Sequence, residues 1–498
     1  MMRALASIGA IQLLIMLVAL VRAKILATSL GPAGFGVLST IDQAVLTVVQ
    51  VSALSMPFTA LRLMAKSHSQ GEAPFRQAFV TFFRMLTVLA VGTVVLCSAL
   101  LAWRPGVFGE DLIRYRQYLA VALLSLPALL LQILFVNTLA AAQAPAASAT
   151  LSLVVGLVLA VASVSGALAA GIRGFYVAGV SAGILTTGGA LWYLSRRFGF
   201  TLATRPMSLA QTLSANPEIV TQSALVWVAL TAYSVTLFVT RYAVLSLLGE
   251  THAGLLQAQL SLALTVGAVV APMSGLYLAP LVNRELAARD KASAADQFAA
   301  KVAVFLLLGG LPLILFPKLI VSLLYSPAFA PAVDVLFVFV LWQCLYQIVN
   351  VYLQLLIGLD DVAFFAIITC AAYSCAATLF PLLIPDLGIA GAALGLVVSM
   401  LVAATGAVVR LRTRFGHAVS ATVWRRAGYT LAVIAIGGLV FSPNTEGTAS
   451  GITMRAVYAL LAIGAVWFGL TPEERGLIMA LFRFFPATTS RRAFRRRP

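Results

Sequence analysis

Charged side chains are scarce in the apolar stretches of this 498-residue chain, so the few found there are the first candidates for chemistry. Arg22 and Lys24 lie near the end of the first apolar run, and Arg241 lies in a later one. Subtracting 218, the spacing of a repeat described below, brings Arg241 to position 23, between the other two. A cation inside a membrane costs roughly 2.5–3.5 kcal/mol on insertion scales and usually faces a cavity or a partner. A layer of such cations suits a diphosphate, because a guanidinium makes two parallel charge-assisted hydrogen bonds to it. The competing reading is that the long side chains stretch to the outer headgroups. Asp42 is the one clearly intramembrane acid. It can pair with Arg22, take up a coupling ion, or act as a helix N-terminal carboxylate stabilised by the dipole.

Amides form a second pattern. Gln343, Gln347, Asn350 and Gln354 are spaced four, three and four apart, with Tyr346 beside them, which on a 3.6-residue period makes one polar stripe. Gln43, Gln50 and Pro57 repeat at seven and share a face in the same way. Amides with aromatics suit a sugar, whose hydroxyls need donors and acceptors while rings cover its apolar faces. Alternatively the stripe is glue between helices, worth about 0.6–2 kcal/mol per hydrogen bond. Tyr233 is a further substrate-binding candidate; Gln12, Gln132, Asn137, Gln222 and Gln257 each read alone as structural.

Other chemistries leave no trace. His68, His252 and His417 have no metal-ligand spacing, and Cys97, Cys344, Cys370 and Cys375 form no CxxC pattern. The pattern holds no nucleophile, paired carboxylates or ATPase motif, so catalytic residues, cofactors and metals are not expected and the chain does not read as an enzyme. The glycine-rich "LGPAGFGVLS" at 30–39 invites a nucleotide-loop reading, but it lies between two long apolar stretches with no GK[ST]. It reads as a helix hairpin, with Gly31 and Gly34 supplying turn conformations and Pro32 fixing φ.

The elements that position these residues follow from composition. Hydrophobic residues make up 61% of the chain and charged residues 10%, against about a quarter in soluble proteins. Apolar runs of the ~20 residues needed to cross a bilayer recur along almost the whole length. The expected spans are 5–28, 35–61, 78–102, 117–141, 147–170, 175–195, 219–247, 253–282, 300–324, 332–358, 362–384, 389–409, 427–441 and 453–470, an all-α polytopic membrane protein with about fourteen transmembrane helices. With the N-terminus inside, 24 of the 33 Lys and Arg fall on the cytoplasmic side and six on the other. This bias places both termini in the cytoplasm. It also accounts for most of the net charge of +17, so nucleic acid is not an expected partner. The tail "RRAFRRRP" is matched to anionic membrane lipids. Before it, Thr471, Pro472 and Glu474 open an expected interfacial helix.

Two motifs recur at nearly one distance. "LGPAGFGVL" at 30 aligns with "LGETHAGLL" at 248, and "GIRG" at 171 with "GIAG" at 388, offsets of 218 and 217. Pro57 and Pro272 form a third, weaker pair. The chain thus divides into two six-helix lobes, 1–200 and 215–412, an appended helix pair at 425–470, and a basic tail at 471–498. Lobes beginning on the same side are parallel repeats, which can enclose a central cavity opening to either face in turn.

A first helix ending in Arg-x-x-x-Leu-Ala, the hairpin "LGPAGFGVLS" and "GIAGAALGLVVS" at 388–399 together resemble the Wzx-type polysaccharide flippases, including O-antigen flippases, of the multidrug, oligosaccharidyl-lipid and polysaccharide (MOP) exporter superfamily. The likeness extends over 1–412. It implies a MATE-like fold and export of a polyprenyl-diphosphate-linked oligosaccharide across the bacterial inner membrane, with ion coupling in some members and with a glycan polymerase or glycosyltransferases as possible partners. The lipid II flippases of the MurJ type are close relatives with fourteen helices, and Arg22 and Lys24 resemble their functional first-helix cations. A multidrug/cation antiporter of the same superfamily would call for acids in the cavity, where this chain has cations.

Overall fold

The computed structural model describes residues 2–201, 204–268, 270–274, 278–282, 286–441, 445–469 and 475. They are helical with short connections, and no strand occurs among them. In chain order the helices are α1 (Met2–Ser52), α2 (Met56–Gln70), α3 (Glu72–Trp103), α4 (Arg116–Leu123), α5 (Leu126–Ala141), α6 (Pro145–Phe198), α7 (Leu209–Ser214), α8 (Pro217–Leu248) and α9 (Glu250–Gly267). There follow α10 (Val270–Met273), α11 (Ala279–Val282), α12 (Ala288–Leu315), α13 (Pro317–Leu324), α14 (Leu336–Gly358), α15 (Val362–Leu387), α16 (Ile389–Phe415), α17 (Ala421–Val440) and α18 (Ala449–Gly469).

Nine of the described helices are long and apolar enough to cross a membrane, and the pair Glu110–Leu123 and Leu126–Ala141, bent by 44°, makes a tenth. Two of the nine each supply two of the expected spans. The helix containing 14–52 breaks at Gly31, where φ is 66° and ψ 178°, and Pro145–Phe198 breaks at Ala170 and Gly171. The eighth expected span corresponds to α9 with α10 and α11, and the thirteenth to α17. About fourteen membrane helices are therefore accommodated.

The hairpin at 30–39 turns on one glycine rather than two. Gly31 takes the left-handed φ, whereas Gly34 is an ordinary helical residue against Leu30. Pro32 accounts for the difference: it sets φ at the first helical position, so the helix has restarted by Gly34. The second expected span also runs further than 61 and is interrupted. Leu54 and Ser55 have φ of 46° and 63°, just ahead of Pro57, whose ring disrupts the preceding turn. Asn137 on α5 donates 3.0 Å to the Pro57 carbonyl, which ties α5 to this break.

Backbone geometry repeats along the chain. Gly31 and Gly249 (φ 91°, ψ 175°) end their helices alike. Gly171 (60°, −145°) matches Gly388 (58°, −139°), and Gly199 (67°, 30°) matches Gly416 (62°, 16°), each 217 residues apart. Two non-glycine residues in left-handed turns, Gln143 (φ 54°) and Asp360 (φ 59°), have the same separation. Their flanking bonds, Ala144 N to Leu139 O and Asp361 N to Leu356 O, are both 2.9 Å. In the second helix of each half, Pro57 follows the break at 53–55, and Pro272 lies in α10 just past the end of α9 at Gly267. With six expected spans between equivalent turns, both copies would enter the membrane from one side, as parallel repeats do.

Within the first half, α3 packs on α2 and α5, and α6 packs on α5 and α1. An aromatic core of Phe75, Phe79, Phe83, Phe135, Phe198 and Phe200 holds the inner end, with Phe79 and Phe200 stacked at 3.9 Å. In the second, α15 joins α8 to α16 while α14 packs on α12 and α16. Helix α17 lies on α12 and α14, with Thr430 donating 2.9 Å to the Ala303 carbonyl. The chain forms two compact units, Met1–Pro443 and Asn444–Pro498. The second contains α18 and, beyond it, Arg475, whose Nε donates 3.0 Å to the Trp467 carbonyl. The expected interfacial helix and basic tail otherwise lie outside the described residues. Cys97, Cys344, Cys370 and Cys375 are all free thiols.

Candidate functional site

The hairpin at Gly31 brings Arg22 and Asp42 back to one level; on an unbroken helix they would stand about 30 Å apart. Both line a cavity of about 240 Å³ within the first half, closed by Leu46, Phe175 and Tyr176. The Arg22 guanidinium lies over the Phe175 ring at 5.2 Å, a cation–π contact. The Tyr176 hydroxyl lies 3.0 Å from the Asp42 carboxylate and 3.1 Å from the Leu38 carbonyl, and donates between them. Asp42 lies well beyond the first turn after Gly31, so the helix dipole does not account for it.

Arg241 approaches from the second half. It is 6% exposed, and its Nε donates 3.1 Å to Gln257 while one terminal nitrogen donates 3.2 Å to the Leu237 carbonyl. The charges of Arg22 and Arg241 both act on Asp42, so the three form one electrostatic cluster. Lys24 lies on an exposed face of α1 and outside the described cavities. Gln257 passes the contact on to Ser261 at 3.0 Å.

The predicted amides divide. Gln43 donates 3.4 Å to the Ser234 carbonyl, and Gln50 accepts from the Trp227 indole at 2.7 Å through its backbone carbonyl. Gln343 and Gln347 are buried against Gly267, where a Cβ would overlap both amide nitrogens, at the point where α9 ends. Asn350 and Gln354 are half-buried further along α14. Tyr233 stacks on Tyr346 at 5.9 Å and meets Tyr373 at 5.3 Å, so α8, α14 and α15 share an aromatic cluster beside Ser234. Gln132 binds Thr186 at 3.1 Å, and Gln222 accepts from Arg62 at 2.6 Å. The side chain of Gln12 lies outside the described residues.

The halves meet along a polar seam. Running away from the hairpins, Thr47 hydroxyl to Ser234 (3.1 Å), Trp227 to Gln50, Arg62 to Gln222, and Lys66 to Asn216 (2.8 Å) join the second membrane helix to α8 in antiparallel register. At the other end of this seam the two repeated hairpins touch: a Cβ at Gly36 would overlap the backbone of Glu250 and Gly254, and one at Gly254 would overlap Pro32. Phe35 packs on Tyr325 and Phe329 beside this contact. Outside it, Glu250 accepts from Tyr115 and pairs with Arg114 at 3.3 Å, while Tyr242 bonds Asp111 at 3.4 Å. Burial first, then the Glu250 carboxylate, push the Tyr115 phenol up to about 12.

Tyr176, Phe175 and Ser234 carry no signal in sequence, being ordinary residues of apolar spans. Gly36 and Gly254 did carry one: they are the coincident later glycines of the two aligned hairpins.

No protein-family model matches the chain, and no curated protein matches it. Solved structures do. An inward-facing multidrug resistance MATE family transporter of the MOP superfamily aligns at TM-score 0.65 and 15% identity, covering 82% of this chain and 98% of that one. The lipid II flippase MurJ, inward closed, aligns at 0.66 and 10% identity, covering 94% and 99%. A MOP superfamily transporter from Pyrococcus furiosus aligns at 0.58 and 14%, covering 83% and 95%. The parallel repeat, the membrane-spanning helices and these alignments together establish that the chain has the fold of the MOP-superfamily membrane transporters.

Proposed function

We propose that this protein is a flippase that carries a polyprenyl-diphosphate-linked oligosaccharide from the inner to the outer leaflet of the bacterial cytoplasmic membrane by alternating access, with both termini in the cytoplasm. The observation that carries this reading is a pair of guanidiniums, half-buried Arg22 and buried Arg241, whose charges act on one half-buried carboxylate, Asp42. A buried cationic site selects an anion, and the two negative charges of a diphosphate diester balance both guanidiniums once Asp42 takes a proton or cation. Asp42 is then the ion-coupling group. In this reading Gln43, Gln50 and Tyr233, with Gln343, Gln347, Asn350 and Gln354 of α14, would meet sugar hydroxyls and faces when the halves part.

The cavity at Arg22, about 240 Å³, falls short of the 300–1,000 Å³ of ordinary ligand pockets, so it holds phosphate and not glycan in this closed arrangement. Opening the seam admits the rest. Glycosyltransferases or a polymerase would make and consume the lipid-linked substrate; the protein itself transforms no bond. The membrane potential, about 2.3 kcal/mol per charge per 100 mV, favours outward movement of the diphosphate.

The experiment is a flipping assay in proteoliposomes with a fluorescent polyprenyl-diphosphate oligosaccharide. An inside-negative potential should raise the outward rate, and collapsing it should lower the rate. A rate indifferent to potential, or export of a lipophilic cation instead, would overturn the reading in favour of a neutral substrate or a cation antiporter. Lipid II is the variant reading within the same class, favoured by the 94% of the chain aligned with MurJ; competition between lipid II and an O-antigen-type lipid in one assay decides it.

A further inference from the structure

We infer that a lateral crevice between the first membrane helix and the first arm of α6 binds the isoprenoid chain of a phosphate-bearing lipid, with Arg22 as its polar wall. The inference rests on the substrate class proposed above and adds the place where its chain is held. Leu17, Val21 and Ile25 of α1 face Leu157, Val161 and Val164 of α6 across a cavity of about 310 Å³. Leu17, Val21, Leu157 and Val161 are 46–59% exposed, so the crevice opens to the membrane side of the bundle.

Arg22 lines this crevice and also the cavity that contains Asp42. One side chain therefore stands between a lipid-facing apolar slot and a buried polar site. Its Nε is buried and has no hydrogen-bond partner, so a donor is left for an incoming oxygen. An apolar slot in a bilayer fills with a chain; a slot walled by a guanidinium with a free donor favours a chain that ends in phosphate. The slot is framed by two helices and runs about 12 Å along them, from Leu17 to Ile25. A slot of that length seats the isoprene units next to the phosphate of a polyprenyl chain, the rest of the chain lying in the bilayer.

The test uses the full-length protein in phosphatidylcholine nanodiscs and a polyprenyl diphosphate bearing a diazirine on its chain. After photolysis, peptide mapping should place the label within 17–25 and 157–164. Excess unlabelled polyprenyl diphosphate should remove it, and the same excess of phosphatidylglycerol should not. Val161→Trp, at a 59% exposed position that tolerates a large side chain, should reduce labelling at least tenfold. Arg22→Gln should raise the concentration for half-maximal labelling by roughly tenfold, as loss of a charged hydrogen bond does. Label spread evenly over lipid-facing helices, or displaced equally by phosphatidylglycerol, would overturn the inference. Crevice labelling by protein that moves no lipid-linked glycan in the flipping assay would support the crevice while overturning the transport reading.

Discussion

Asp42 is the residue on which the charge balance turns. Tyr176 donates to it, and the charges of Arg22 and Arg241 act on it, so it competes with an anionic substrate for both guanidiniums. Asp42→Asn keeps the shape and an acceptor for Tyr176 but removes the competing charge. Binding of a polyprenyl diphosphate should then tighten by roughly tenfold, about 1.4 kcal/mol, while transport loses its dependence on a pH gradient. Isothermal titration and the flipping assay read the two effects separately; weaker binding would show that Asp42 helps to hold the substrate. The three charges were legible in sequence because intramembrane charges are rare and costly. Their approach was legible too, from the hairpin that folds 42 back toward 22 and the offset that sets Arg241 at their level; the Tyr176 hydroxyl and Phe175 ring that complete the site were not. Lys24, two positions from Arg22 and therefore about 200° around the helix, falls on the exposed face.

At the scale of elements, the two hairpins, which the proposed orientation puts on the outer side, can touch only because Gly36 and Gly254 lack side chains. Their recurrence in aligned motifs was visible from sequence; that each serves the other was not, because an alignment shows likeness and not contact. Gly254→Leu should force the hairpins apart, with overpacking of about 1–3 kcal/mol borne by this arrangement. A cysteine placed at Ala33 should then react with a membrane-impermeant maleimide from the outside several times faster than in the parent; an unchanged rate would mean that the seal lies elsewhere. The Tyr115–Glu250 bond reinforces the closure, and its pH dependence has a defined sign. The phenol is held up, at about 12 against an ordinary 10, so its contribution is complete below pH 10 and lost as pH rises toward 12. Thermal stability should be level from pH 6 to 9 on this account, and Tyr115→Phe should cost about 1 kcal/mol, low for a charged hydrogen bond because Glu250 is partly exposed. The breaks in the second span and around α4 and α5 escaped the sequence reading, since apolar composition continues through both.

At the scale of the molecule, two halves with matching turns are joined along the second membrane helix and α8 by hydroxyls, amides and an indole rather than by interlocking apolar side chains. Polar contacts of this kind exchange readily, each worth about 0.6–2 kcal/mol in a membrane, so the seam is strong enough to close and weak enough to open. The repeat was legible in two short motifs and proved to extend to left-handed turns at Gln143 and Asp360, which no motif marked. The charge on it is not symmetric: position 42 carries an acid, and its counterpart 218 residues on is the buried, apolar Leu260. On the proposed reading ion coupling would belong to the first half, while the second half contributes Arg241. If the halves part to admit a glycan, a covalent tie across mid-seam must stop transport. Thr47 and Ser234, whose hydroxyls are 3.1 Å apart, suit a disulfide. Thr47→Cys with Ser234→Cys should transport at near the parent rate when reduced, fall at least tenfold when oxidised, and recover with reductant, with either single cysteine unaffected. Full transport by the oxidised protein would mean that the second helix and α8 move as one body and that the substrate passes by another route.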